Sequence, residues 1–197
     1  MRIVIDMQGA QSSGSRHRGI GRYTLALAQA MVRNRGEHEV MLALSGLFPD
    51  SVEPIRAAFA DLLPQSSIHV WHAPVPVNYL EPSNLGRRLD AENIYEAFLH
   101  ELSPDVIHVT SLFEGLVDDA VTSVRQRRGQ ALVAVTLYDL IPYLNPDPYL
   151  LNPSLKTWYL EKIEHLRRAD LWLAISASSR DEGVQHLGFS SAQCHNI

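Results

Sequence analysis

The chain has 197 residues, 46% of them hydrophobic and 20% charged, which suits one globular domain with a full core or two small domains. Its formal net charge of −5 argues against a general affinity for nucleic acids or acidic lipid surfaces. The single cysteine, Cys194, excludes an internal disulfide and a cysteine-based metal site. The first apolar run is too short for a signal peptide, and no stretch is long enough to span a bilayer, so a soluble, cytoplasmic protein is expected.

Short apolar runs alternate with helical patterns along the whole chain. Gly36 is expected to cap the end of the first helix, Asn152 and Pro153 to begin the fifth, and Ser179 with Glu182 to form a capping box in the last. In chain order the predicted elements are a strand at 3–5, a helix at 19–35, a strand at 40–44, a helix at 54–63, a strand at 67–71, a helix at 87–102, a strand at 106–109, a helix at 116–127, a strand at 131–137, a helix from 153, a strand at 171–175, a helix ending at 187 and a last strand from 194.

This alternation predicts the fold class. The apolar runs are continuous, as in strands that are buried on both faces, so we expect an α/β, Rossmann-like parallel sheet of six or seven strands. Helices are expected on both faces, within a single domain spanning residues 1–197. Ligands of such sheets bind at the carboxyl ends of the strands, which selects the loops 7–19, 72–85, 110–115, 138–152 and 176–179.

The loop after the first strand combines glycines with arginines. Gly19 and Gly21 lie at the predicted start of the first helix, where free amides and the helix dipole favour an anion, and Arg16, Arg18 and Arg22 add positive charge. The loop lacks the lysine of a P-loop and the third glycine of a dinucleotide fingerprint. Two interpretations stay open: a site for a phosphate-bearing ligand, or a tight turn where the first helix packs on the sheet.

Two carboxylates follow predicted strands at the same edge. Asp139 comes after the most apolar strand, where it could orient a sugar hydroxyl, act as a base, or cap the turn into Leu140. Glu114 follows the fourth strand and could equally be a solvated loop residue. His108 lies inside a strand pattern and is interpreted as a satisfied core histidine. Serines 176, 178 and 179 could donate to phosphate, although helix capping explains them fully.

Four segments, taken in order, resemble a known family. They are 18–23 (RGIGRY), 106–115 (VIHVTSLFEG), 136–142 (TLYDLIP) and 169–176 (ADLWLAIS). Together they are similar to the N-terminal half of a family 4 retaining glycosyltransferase, in the mannosyl- and rhamnosyltransferase branch that builds bacterial surface polysaccharides. The resemblance covers essentially the whole chain.

The resemblance implies a fold, a reaction and a set of site residues. The family has the GT-B architecture, in which the N-terminal domain mainly receives the acceptor and the C-terminal domain binds the nucleotide sugar. The implied reaction transfers a hexose from a nucleoside diphosphate sugar to a glycan hydroxyl with retention, and it needs neither metal nor cofactor. By resemblance the donor diphosphate loop contains Gly19, Gly21 and Arg22, the catalytic position that touches the sugar is Asp139, and the acceptor or sugar contacts are Arg18, Ser111, Glu114 and Tyr138.

The chain departs from the family pattern at two points. Tyr138 stands where many relatives have histidine, and no two glutamates have the Glu-x7-Glu spacing of the donor domain. The chain is therefore expected to be a fragment that lacks the C-terminal nucleotide-sugar domain and has negligible activity alone. Its expected partners are the donor, a glycan or lipid-linked glycan acceptor and that missing domain. Peripheral association of the full-length protein with the cytoplasmic face of the inner membrane is left open.

Two other functions compete with this one. A stand-alone Rossmann-like module that binds a nucleotide or glycan without catalysis predicts nucleotide affinity that is lost on Gly21→Trp. A sugar-nucleotide epimerase or reductase needs a complete dinucleotide fingerprint and a Tyr-x-x-x-Lys pair, and the sequence has neither.

Overall fold

The computed structural model describes residues 1–124 and 129–197. Within them the strands are β1 (Arg2–Asp6), β2 (Glu39–Ser45), β3 (Ile68–Trp71), β4 (Val106–Val109), β5 (Leu132–Leu137), β6 (Leu171–Ala174) and β7 (Cys194–Asn196). They form one sheet in the order β3-β2-β1-β4-β5-β6-β7, and every pairing is parallel. The predicted Rossmann-like sheet is confirmed, with seven strands.

Helices cover both faces of this sheet, as predicted. Those described are α1 (Gly19–Arg33), α2 (Pro49–Ala58), α3 (Leu85–Glu101), α4 (Ile141–Leu144), α5 (Pro146–Tyr149), α6 (Pro153–Arg167) and α7 (Ala177–Leu187). The inner faces of α1 and α2 pack with Ile5 and Leu42 in one core cluster. The inner faces of α3, α6 and α7 pack with Ile107 and Val135 in a second cluster. Side chains at successive strand positions point to opposite faces, so these two clusters lie on opposite sides of the sheet.

The strand order reverses between β1 and β4. The chain moves from β1 to β2 and β3 on one side, then crosses to β4 on the other side of β1. Asp6 is in register with Val109, so the segments that follow these two residues leave the sheet side by side. Such a reversal opens a crevice at the carboxyl ends of the two strands, where ligands of open α/β sheets bind.

The helix predicted over 116–127 is wrong for its described part. Residues 116–124 have no helical turn, and 125–128 lie outside the described residues. Polar contacts from distant elements hold this segment instead: the Gln8 side chain bonds to both backbone groups of Val121, and Lys162 Nζ donates to the carbonyl and hydroxyl oxygens of Thr122. Tertiary hydrogen bonds have replaced the ladder that the apolar spacing suggested.

Three helix ends differ from the predicted ones. Helix α2 begins at Pro49, a favoured first-turn position, so Pro54 lies inside the helix rather than at its start. Helix α7 is capped by Ser176, whose Oγ accepts from the Ser179 amide at 3.0 Å, so the capping box predicted at Ser179 is wrong. Helix α1 ends before Asn34. The Asn152 cap is confirmed, with its Oδ1 accepting from two amides.

Candidate functional site

The crevice between β1 and β4 is bounded by the segments 7–18 and 110–124. Gly9 lets them approach: a Cβ there would lie 2.6 Å from Thr24 Oγ1 and 2.7 Å from Ser111 Cβ. The Thr110 hydroxyl donates to the carbonyl of Asp6 at 2.7 Å, which joins the two strand ends. The first helix and the loop after β4 are thus held against each other at the predicted ligand edge.

Glu114 is buried at the centre of this crevice. Its Oε1 accepts from Ser15 Oγ at 2.5 Å and from Ser111 Oγ at 2.7 Å. Burial raises the pKa of Glu114, while hydrogen bonds from the serines oppose the shift. The predicted contacts Ser111 and Glu114 therefore lie together. The same carboxylate oxygen of Glu114 also binds Ser15 and so holds the loop 8–18 in place. The alternative of a solvated loop residue is wrong for Glu114, which is only 4% exposed.

We expect Glu114→Ala to lower the free energy of unfolding by about 1.5 kcal/mol, because two buried hydroxyls lose their acceptor. Glu114→Gln should lower it by less than half as much, since the amide oxygen still accepts from Ser15 and Ser111. Urea denaturation of the two variants at pH 7 measures both values. Equal losses for glutamine and alanine would show that the acceptor oxygen is not what stabilises the loop.

Tyr138 lies on the α1 side of the same crevice. Its hydroxyl is 3.5 Å from Thr24 Oγ1, and its ring meets Tyr23 edge to face with the centroids 5.7 Å apart. Burial raises the pKa of Tyr138 to about 12, and the neighbouring Glu114 adds to the shift. The hydroxyl therefore stays protonated at neutral pH and can donate a hydrogen bond, although it cannot carry the charge of a protonated histidine.

Asp139 is adjacent in sequence but exposed at the mouth of the crevice. Its Oδ1 accepts from the Ile141 amide at 3.0 Å, which is the turn-capping contact considered from sequence. A carboxylate in this position has free lone pairs for a hydroxyl of a bound ligand. The capping interpretation is confirmed as a contact, and the catalytic role of Asp139 stays a prediction.

Gly19 and Gly21, the two glycines predicted for the diphosphate loop, have different surroundings at the start of α1. No heavy atom outside the local chain lies within 4 Å of where a Cβ on Gly19 would stand, so a ligand can approach this backbone. A Cβ on Gly21 would lie 2.5 Å from Arg16 Cα and from the Ser15 carbonyl oxygen. Gly21 therefore admits the chain's own loop, and here the tight-turn interpretation is the better one.

The backbone amides of the first turn of α1 also fall into two groups, those that are hydrogen-bonded within the chain and those that are not. The Gly21 amide donates to the Ser15 carbonyl at 3.1 Å, and the Arg22 amide donates to the Arg18 carbonyl at 3.2 Å. The amides of Gly19 and Ile20 have no hydrogen-bond partner among the described residues. With the exposed Arg18 beside them, these two amides are the groups available to an anion at the predicted anion-binding end of α1.

Sequence analysis missed Asp6 and Gln8, which join the two sides of the crevice. The Gln8 amide nitrogen donates to Asp6 Oδ1 at 3.2 Å and to the Val121 carbonyl at 2.5 Å, and the Val121 amide donates back to Gln8 Oε1 at 2.7 Å. Asp6 is fully buried, and burial raises its pKa from 3.8 to about 7. The criterion that selected Asp139, a carboxylate directly after an apolar strand, would also have selected Asp6.

His108 is a neutral core residue. Its Nε2 lies 2.9 Å from Thr136 Oγ1, and burial lowers its pKa to about 4. Nδ1 has no partner among the described residues, so the predicted satisfied histidine is satisfied at one nitrogen.

The predicted absence of a metal ion and the predicted absence of a membrane-spanning segment remain predictions. Among the described residues, no group of three His, Cys, Asp or Glu side chains could hold a metal ion. None of the helices in this part of the chain is long and apolar enough to cross a membrane.

Comparison with known proteins identifies sequence relatives. The sequence model named glycosyltransferase family 4 matches residues 17–197. Three Escherichia coli proteins, each named serotype-specific mannosyltransferase WbdA, are 34% identical over 198 residues, 30% over 172 and 28% over 172. These matches cover 100%, 87% and 87% of this chain, but only 24%, 21% and 21% of the relatives. The chain thus spans about a quarter of their length.

Two solved structures share the fold. A putative UDP-N-acetylglucosamine 2-epimerase from Listeria monocytogenes has a TM-score of 0.51 at 11% identity, and the match covers 98% of this chain and 44% of that one. The UDP-GlcNAc 2-epimerase of Neisseria meningitidis has a TM-score of 0.54 at 9% identity, with 98% and 45% covered. At such identities the likeness concerns the fold alone.

Proposed function

The chain belongs to glycosyltransferase family 4, and on that premise we propose that it forms the acceptor-side domain of a GT-B enzyme that transfers a mannose-like hexose to a glycan hydroxyl. The donor is a nucleoside diphosphate sugar, and the anomeric configuration is retained. The printed names of the relatives favour mannose over other hexoses. In this proposal the chain is part of a longer protein, as the length of the relatives suggests, and the remainder would supply the donor-binding domain.

One observation carries this proposal beyond family membership. The open backbone of Gly19, whose amide has no hydrogen-bond partner in the described part of the chain, lies on α1, and the same helix brings Thr24 next to Tyr138 and Ser111. Groups suited to an anion and groups suited to sugar hydroxyls therefore lie at one edge of the sheet, which supports the proposal. A diphosphate leaving group and a sugar acceptor need this combination.

The proposed roles follow from the environment of each residue. The Gly19 and Ile20 amides and the Arg18 guanidinium would stabilise the charge that develops on the departing diphosphate. Exposed Asp139 and the protonated hydroxyl of Tyr138 would orient the sugars by hydrogen bonds. Buried Glu114 would keep the loop 8–18 in place. Catalysis would then rest on positioning and on electrostatic stabilisation, in the cytoplasm where nucleotide sugars are made.

The test uses the full-length protein and the 197-residue chain side by side. With a nucleoside diphosphate hexose and a mannose-terminated acceptor, the full-length protein should form a glycoside, and NMR of the product should show the donor's anomeric configuration. The chain alone should give no product. Inversion would exclude a retaining enzyme, and transfer by the isolated chain would show that no second domain is required.

A further inference from the structure

A groove of about 310 Å³ lies between α1 and α2, on the outer side of the loop 8–18. Its floor is apolar and is formed by Ala10, Leu25, Pro54 and Ile55. Arg16, His17 and Arg22 line its rim. The volume is at the lower end of the range for small-molecule sites. None of the roles proposed above uses this groove.

The walls of the groove are fixed by buried contacts. The fully buried side chain of Gln11 accepts from the Ser45 amide at 2.7 Å and donates to the Ser45 carbonyl at 3.0 Å and to Ser51 Oγ at 2.8 Å. The loop is thereby tied to the end of β2 and to the first turn of α2. On the opposite wall, Gly21 allows the backbone of Arg16 to lie against α1. The groove is therefore built before any ligand arrives.

The rim carries uncompensated positive charge. Arg16 and Arg22 form no ion pair with a carboxylate of the described residues, and Arg16 Nε donates to His17 Nε2 at 2.9 Å. Among the residues that the structure describes, Asp50 is the one carboxylate that lines the groove. Two guanidinium groups against one carboxylate leave a net attraction for an anion, in a chain whose formal charge is −5.

The apolar floor of the groove favours an anion that carries an apolar organic group. Inorganic phosphate would contact the arginines and leave Leu25, Pro54 and Ile55 exposed to water, whereas a ligand with an attached hydrocarbon or ring would bury them. We infer that this groove binds a phosphate ester, with the phosphate on Arg16 and Arg22 and an apolar organic group on the floor.

Arg22 belongs to this groove rather than to the predicted diphosphate loop. Arg22 was expected in the donor diphosphate loop, yet it lines the groove with Gly21, while Gly19 does not. The groove and the anion-binding end of α1 are therefore two sites. The inference does not rest on the proposed transferase activity, because its test measures binding rather than turnover.

The test is a titration of the ¹⁵N-labelled chain with geranyl phosphate, a phosphate ester with a short hydrocarbon tail. Amide shifts should change at Ala10, Gly21, Leu25 and Ile55, and inorganic phosphate or geraniol alone should bind at least about tenfold more weakly. Arg22→Gln should weaken binding about tenfold through the loss of one charge-assisted contact. Arg33→Gln, which removes another exposed arginine from the same helix, should leave binding unchanged. Equal thermal midpoints would show that both variants fold alike.

Competition separates the two sources of such a ligand. Displacement of geranyl phosphate by GDP or UDP would assign the groove to a nucleotide, and failure to displace it would assign the groove to a lipid-like phosphate. Either outcome keeps the phosphate-ester site. Three results would overturn it: no titration with geranyl phosphate, inorganic phosphate binding as tightly as the ester, or an equal loss of affinity in Arg22→Gln and Arg33→Gln.

Discussion

Replacing Gly21 with alanine should lower the free energy of unfolding by about 2 kcal/mol, whereas Gly19→Ala should change it by no more than about 0.5 kcal/mol. The added Cβ at 21 would lie 2.5 Å from Arg16 Cα and 2.6 Å from the Arg16 carbonyl oxygen, so backbone must move. At 19 the Cβ would meet open space. Alanine's higher helix propensity partly offsets the clash at 21, and the predicted loss includes that gain.

Urea denaturation of the two variants, measured together at pH 7, gives both numbers. The two changes are chemically identical, lie two residues apart in one helix and differ only in the space around the new methyl group. A loss of similar size at both positions would mean that the clash at Gly21 relaxes without cost. It would also remove the structural argument for reading Gly21 as a packing residue.

The same pair separates packing from ligand binding in the full-length enzyme. Gly19→Trp should lower kcat/KM about 100-fold with little effect on stability, because the indole would occupy the space proposed for the diphosphate. Gly21→Trp should displace the loop 12–18, so a loss of nucleotide affinity there cannot identify a binding module. Full activity in a stably folded Gly19→Trp enzyme would exclude the diphosphate role of Gly19.

The sheet could be predicted because its signal is local. Five consecutive apolar residues at 40–44 have few alternatives to a strand buried on both faces, and Asn152-Pro153 carries its own capping chemistry. The error at 116–124 has a non-local cause. The partners that hold Val121 and Thr122 are Gln8, which is 113 residues away, and Lys162, which is 40 residues away. No pattern within a window of the sequence contains these pairings.

In the candidate site, the positions of the residues could be predicted from local sequence, whereas their contacts could not. Ser111, Glu114 and Tyr138 could be placed at the ligand edge because each follows a recognisable strand. Their individual roles could not be predicted, since they depend on which hydroxyl reaches which carboxylate across the crevice. Glu114 illustrates this: the sequence offers an acceptor or sugar contact or a solvated loop carboxylate, and the structure shows a buried carboxylate that accepts from Ser15. The part of each residue in transfer is still a prediction.

Asp6→Asn should make the protein more stable at pH 8 than the wild type, by up to about 4 kcal/mol, and equally stable near pH 4. Burial raises the pKa of Asp6 from 3.8 to about 7, and one of its oxygens, Oδ2, has no partner among the described residues. Between pH 3.8 and about 7, the pKa values of Asp6 in the unfolded and folded states, folded Asp6 holds a proton that the unfolded chain has released. The contribution of Asp6 to the free energy of unfolding of the wild type therefore falls as pH rises through this window.

Asparagine resembles the protonated aspartate in shape and keeps an oxygen that accepts from Gln8. The difference between wild type and Asp6→Asn, taken from urea titrations at half-unit steps from pH 4 to 8, isolates this one carboxyl. The comparison is needed because two buried histidines act in the opposite sense. Burial lowers the pKa of His108 to about 4 and of His165 to about 3, so both oppose folding as pH falls below 6.5.

The wild-type stability alone would therefore fall by about 1.4 kcal/mol per unit as pH drops from 6.5 to 4, because two histidines outweigh one carboxyl. The histidine contributions are common to both proteins and cancel in the difference, which should rise steadily from pH 4 to 7 and then level off. A constant difference across the range would mean that Asp6 is ionised in the folded state. Asp6 would then be a buried carboxylate that accepts from the Gln8 amide, and the crevice would have to supply a further donor to Asp6 Oδ2.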